Sequence, residues 1–212
     1  MRNSIHRLIL PTLLLAVCLS YLNADDAIRF SGGYTRAVMI EGREAIVLTQ
    51  GAEVEAGPIS LKAQRIELFG PSSRYLTGSG KVAISDVEHG TTIYTNEISY
   101  DRETGVLIAD GWVEVEDIVH ELIASAGYMD YNSETAQMKL QVSAIIARNT
   151  AEGVMRAKGN TITVDSEEGL ITISGDARVT YKDNLYQADI TIINTETNEI
   201  EMSGNIQGAV DG

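Results

Sequence analysis

Few residues in this chain could carry chemistry. His89 and His120 stand 31 positions apart, beside Glu88 and Glu121. A metal site of the zinc type needs three or four converging ligands. The third histidine, His6, lies in an N-terminal leader, so the set falls short. The 31-residue step equals one repeat of the chain, repeated turn residues account for it, and no metal is expected. The single cysteine, Cys18, sits in the same leader, which removes thiol nucleophiles from the rest. "GSG" at Gly78–Gly80 lacks the lysine and the strand-to-helix setting of a phosphate loop. The 30 acidic residues could supply a carboxylate pair for glycoside hydrolysis, as in repetitive β-helix enzymes. They concentrate in turns and on outward strand positions, where solvation explains them. Neither catalytic residues nor a cofactor are expected, and the chain is read as a non-enzyme.

The elements that would position any site begin after the leader. Arg2 and Arg7, an apolar run from Leu8 to Leu19, and "NADDA" form the layout of a secretory signal peptide, with cleavage expected after Ala24. The run is short for a membrane span, although an uncleaved anchor stays open. Val17 is too bulky to precede a lipidated Cys18. The reading is a signal peptide over 1–24, a lead-in over 25–40, one β-domain over 41–208 and a tail over 209–212, in an exported chain. The formal net charge is −14, or −16 without Arg2 and Arg7. Nucleic acid and a bare anionic membrane would repel such a chain.

The chain repeats itself. Gly51, Gly80, Gly111, Gly175 and Gly204 each sit inside a strand-like run, at steps of 29, 31, 64 and 29 residues. The double step places Val142 of "KLQVSAIIA" at the missing position. Each of about five units holds alternating runs between turns rich in Asp, Glu, Asn, Ser, Thr and Gly. That is the pattern of half-buried β-strands.

Glycine weakens a strand interior, so its recurrence there needs a reason. By parity Leu107, Ala109, Gly111, Val113 and Val115 share one face, as do Ile171, Ile173, Gly175, Ala177 and Val179. The glycine is therefore expected on the apolar, inward face, where a missing side chain lets the strand bend. The return strands show a second device. Ile93 and Thr95 share a parity that Ile98 and Tyr100 have lost, and Leu61–Ala63 against Ile66–Leu68 and Ala124–Ala126 against Met129–Tyr131 repeat the slip. One-residue slips are absorbed by β-bulges. The fourth unit, "VMRAKGNTITV", reads as longer and irregular. In the fifth, Ala188, Ile190 and Ile192 keep phase, so the rule is expected to fail there. Two creases per unit give an elongated, folded antiparallel sheet around an apolar interior. Trp112 has outward parity and either caps the exterior or meets a partner.

The units "GKVAISDVEHGTTIYTNEISYDRETGVLIADGWVEVE" (80–116) and "IVLTQGAEVEAGPISLKAQRIELFG" (46–70) resemble the OstA-like family of periplasmic lipopolysaccharide-transport proteins of the LptA type. The shared pattern is a glycine, a short alternating strand, a turn, then alanine or threonine three before an aliphatic residue, and it covers roughly 40 to 208. The resemblance implies an all-β, elongated, twisted open antiparallel β-jellyroll. It implies an interior along which lipopolysaccharide or a similar amphiphile slides. It also implies edge-to-edge joining with copies of the chain and with other OstA-like subunits, across edges near Ile46–Glu53 and Ile200–Ile206. By position, the lipid-facing candidates are Val82, Ile84, Ile98, Tyr100, Val113, Val115, Met129 and Tyr131, with Val179 on the same parity in the fifth unit. A membrane-anchored, LptC-like subunit of such a system would share the fold. A repetitive exported structural or surface protein with a solid core and no cargo is the other reading.

Overall fold

The computed structural model describes residues 28–209 apart from 57, 88, 89, 120, 133, 136, 151, 152, 166, 183, 196 and 198. Its framework is an antiparallel meander of long strands: β3 (Ala45–Ala56), β4 (Ile59–Phe69), β5 (Tyr75–Asp86), β6 (Thr91–Asp101), β7 (Val106–Asp117), β8 (Leu122–Asn132), β9 (Gln137–Thr150), β10 (Gly153–Asp165), β11 (Leu170–Tyr181) and β12 (Asn184–Asn194). Among these ten, each pairs only with its neighbours in sequence, as short hairpin turns require. The ends are finished by half-length strands. β1 (Arg29–Ser31) and β2 (Tyr34–Val38) both pair with β3, and β13 (Ile200–Ser203) and β14 (Gln207–Ala209) both pair with β12. The protein is all-β among the described residues, and the sheet is open. Twelve strand positions at about 4.8 Å spacing span roughly 50 Å.

Every pair of long strands breaks register at its middle. Between β5 and β6, for example, Ser79 faces Glu97 and Val82 faces Thr95. Two residues, Gly80 and Lys81, therefore oppose Asn96 alone. The same two-against-one bulge recurs on β3, β7, β9 and β11, and it lies between β13 and β14. Its two residues have positive φ each time: Gln50–Gly51, Gly80–Lys81, Gly111–Trp112, Val142–Ser143, Gly175–Asp176 and Gly204–Asn205. The bulges line up into one crease across the sheet. It divides the sheet into leaf A, which carries the turns at 86–91 and 117–122, and leaf B, which carries those at 101–106 and 132–137.

This corrects two expectations. The glycine and the parity slip are the two sides of a single bulge, so the two creases expected in each unit fall on one shared line. The creasing glycine also faces outward, not inward: Gly111 and Trp112 are exposed while Ala109 and Val113 on either side are buried. Adding one residue to the outer surface of every second strand lengthens that surface and folds the sheet away from it. Glycine serves the left-handed backbone there, since a Cβ on Gly51 would meet nothing within 4 Å.

A packing rule accompanies the crease. The first residue of each bulge pair touches the single residue of the preceding strand, and one of the two is always glycine. The couples are Gly33 with Gln50, Gln64 with Gly80, Asn96 with Gly111, Gly127 with Val142, Asn160 with Gly175, and Asp189 with Gly204. A Cβ on Gly127 would lie 2.9 Å from the Cβ of Val142, nearer than two carbon side chains approach. Val142 thus fills a crease position without glycine because its opposite residue supplies one.

The slip also extends further than expected. In β10, Ala157 is buried on one parity, and Ile162 and Val164 on the other. In β12, Thr191 is fully buried while Ile190 is 40% exposed. The fifth unit therefore obeys the rule and turns its threonine inward in place of Ile190. The N-terminal edge is corrected as well: β1 and β2 cover Ile46–Glu53, so they form the edge, whereas Ile200–Ser203 in β13 does lie at the other one.

A sheet face is buried only by something packed upon it. With no helix among the described residues beyond a single 3-10 turn at Pro71–Ser73, each leaf covers the other. One contiguous apolar cluster runs from Leu48 to Ile193. Contact crosses between leaves: a Cβ on Gly78 in leaf B would lie 3.8 Å from Leu61 Cδ1 in leaf A.

Candidate functional site

The interior between the leaves is the candidate site. Leaf A contributes Val82, Ile84, Val113, Val115 and Val179, aligned by register: Val82 opposite Thr95, Ile84 opposite Ile93, Ile93 opposite Val115, and Val113 opposite Ala126. Val179 lies further along, between Ala157 and Tyr186. Leaf B contributes Ile98 opposite Ala109, Met129 opposite Ala109, and Tyr100 and Tyr131 on either side of Leu107. All nine belong to the same cluster, and none is more than 5% exposed. The leaves are thus closed on one another over these side chains.

The inward row changes character at the margin of leaf A. Asp86, Thr91 and Asp117 are buried side by side, in register across β5, β6 and β7. The alternation already placed them inward, since Asp86 continues Val82–Ile84 and Asp117 continues Val113–Val115. Sequence reading passed over them because it grouped all carboxylates with the solvated turns. Just outside this row, the turn residues Val87, Ile118 and Val119 are exposed apolar side chains.

The opposite margin is polar and pinned. Arg74 binds both carboxylate oxygens of Asp101, at 2.9 and 2.6 Å, pairs with Glu103 and lies over the ring of Tyr75. Asp101 accepts in addition from the backbone N–H of Glu103. The hydrogen bonds from the Arg74 guanidinium, followed by those from the backbone, hold the Asp101 carboxyl down at about 2. Asp165 is lowered by the backbone N–H of Glu168 and then by the side chain of Gln137. Asn132 and Asn194 accept from turn N–H groups in the same way. These are local turn bonds that compete with extension and fix hairpin ends.

Trp112 is the second residue of its bulge pair, 52% exposed, with its Nε1 donating to Glu114 at 2.9 Å. His89, His120 and Glu88 lie outside the described residues. Among those described, no three His, Cys, Asp or Glu side chains gather as a metal site would need, and no helix is long and apolar enough to cross a membrane.

No protein-family model matches the chain, and no curated protein matches it. Among solved structures it is similar to LptH of Pseudomonas aeruginosa, the LptA-homologous periplasmic component of the lipopolysaccharide transport device. The alignment covers 90% of this chain and 99% of that one, at 11% identity and a TM-score of 0.30.

Proposed function

We propose that this chain is a non-enzymatic periplasmic carrier that holds the acyl chains of lipopolysaccharide or a related amphiphile between its leaves, as one segment of a bridge joined edge to edge with like subunits. The observation that carries this reading is the apolar cluster that continues through all ten long strands of a sheet open at both edges. Apolar burial is worth about 0.8 kcal/mol per methylene, so five methylenes contribute about 4 kcal/mol without a polar anchor. Such contacts are non-directional, which permits sliding. Because the leaves are closed, loading requires them to part. The apolar tips Val87, Ile118 and Val119 make the margin of leaf A the easier one to open, while the Arg74–Asp101 pairing opposes opening at the other.

The closed, fully packed interior also favours a second reading, a repetitive exported structural protein with a solid core. Mass spectrometry of protein purified gently from native membranes separates the two. The carrier reading expects a co-purifying acylated amphiphile, lost from Ile98→Asp or Val113→Asp protein that still shows β-sheet dichroism. Lipid-free protein from lipid-replete cells, or bound lipid that survives both substitutions, would refute the carrier. N-terminal sequencing of the mature chain distinguishes the soluble carrier, beginning at Asp25, from an anchored subunit that keeps its leader.

A further inference from the structure

The internal repeat lets one crease serve as the control for another. On the outer face of leaf A, Lys62 of β4 stands in register with Glu53 of β3 and Ala83 of β5. Its Nζ is 3.0 Å from the Glu53 carboxylate, so its charge is met across the strand pair. The equivalent residue of β10 is Lys158, in register with Ile145 of β9 and Arg178 of β11. No acid stands on either side, and a second cation takes the place beside it. Like charges directly opposed on neighbouring strands destabilise a sheet. Neither Lys158 nor Arg178 makes an ion pair with a described carboxylate.

These two cations line a depression of about 380 Å³ on the outer side of the crease, together with Ser143, Asn160 and Asp176. Gly159 and Gly175 line it as well, and the Asn160 side chain packs against Gly175. Asp176 is its one carboxylate, so the lining stays net positive in a chain of formal charge −14.

We propose that this depression is a binding site for a phosphate group. The Arg178 guanidinium would fork onto two phosphate oxygens, and the Lys158 ammonium would act as a point charge. The Ser143 hydroxyl and the Asn160 amide are the further donors at hand. Bound phosphate would relieve the repulsion that the protein alone leaves unmet. The site lies outside the apolar interior, so it stands whether or not acyl chains bind there. Its phosphate is either free in solution or carried on a lipid head, and the chemistry is shared.

The test is amide NMR of the mature chain, titrated with inorganic phosphate at constant ionic strength and, separately, with phosphatidylglycerol or phosphatidylcholine vesicles. Saturable shifts confined to Ser143, Lys158, Asn160, Gly175 and Arg178 are expected. Response to inorganic phosphate identifies a free-phosphate site, and response to phosphatidylglycerol vesicles alone identifies a head-group site. Lys158→Ala and Arg178→Ala should each weaken binding about tenfold or more, Lys158→Arg should retain it, and Lys62→Ala at the charge-paired crease should leave it unchanged. All three positions are exposed, and Arg178→Gln substitutes if an alanine variant loses its dichroism. No saturable response to either probe, an equal response to phosphatidylcholine, or equal weakening by Lys62→Ala would overturn the site.

Discussion

Exchanging the glycine between Gly127 and Val142 perturbs the crease without touching the interior. Val142 holds φ of 66° although it is β-branched, a backbone that costs an L-residue about 1–2 kcal/mol. Val142→Gly removes that strain. It adds about 0.5–1 kcal/mol of backbone entropy cost and gives up the modest burial of a side chain that is 65% exposed. The single change should therefore fall within about 1 kcal/mol of neutral. Gly127→Ala in the native background sets a Cβ 2.9 Å from Val142 Cβ and 3.0 Å from its Cγ1. Such overpacking costs about 1–3 kcal/mol, offset by about 0.4–1 kcal/mol from a stiffer unfolded chain. With Val142→Gly already present the clash is gone and only the favourable term remains. The coupling between the two sites should equal the clash itself, about 1–3 kcal/mol. The assay is urea unfolding of the four proteins in a double-mutant cycle, followed by far-ultraviolet dichroism. Additivity within about 0.5 kcal/mol would show that the one-glycine rule has no energetic content.

Three further outcomes follow from the same geometry. Gly51→Ala should destabilise by about 1–2 kcal/mol in urea unfolding although nothing lies within 4 Å of the new Cβ, because φ is +80°; a neutral result would place the role of glycine elsewhere. The Asp101 carboxyl is lowered from 3.8 to about 2 in the folded protein, so its contribution is complete above about pH 4 and is lost as the pH falls toward 2. Arg74→Met should flatten that part of the acid limb of stability, and an unchanged limb would refute the pairing. Among the described residues nothing pairs the outer sides of the two sheet edges, so light scattering should show open-ended growth in mass with protein concentration, reduced by Met202→Pro in β13, whose N–H faces away from β12; a strict monomer at high concentration would contradict edge joining.

The antiparallel β-fold and the inward set from Val82 to Val179 could be read from period-two alternation, because an open sheet with one buried face imposes that pattern directly. The purpose of the glycines could not. Two bulged residues preserve apparent parity, so Gly111 reads as inward between Ala109 and Val113 although it is exposed. Ile190 and Ile192 misled for the opposite reason: they are apolar on an outer face, while the buried phase of β12 is carried by Thr191. Composition does not reveal a bulge that turns a threonine in and an isoleucine out. β1 and β2 were missed as sheet edges because each is too short to show alternation. Lys158 and Arg178 are 20 residues apart in sequence and meet only through the β10–β11 register, which pattern alone does not fix.

The most direct test of the carrier account is photocrosslinking in lipid-replete cells. Benzoylphenylalanine would replace Tyr100 or Tyr131, both buried between the leaves, or Tyr94, exposed on the outer face. The account predicts lipid adducts at positions 100 and 131 and none at 94. Adducts at 94 alone, or a dry interior at both inner positions, would contradict it.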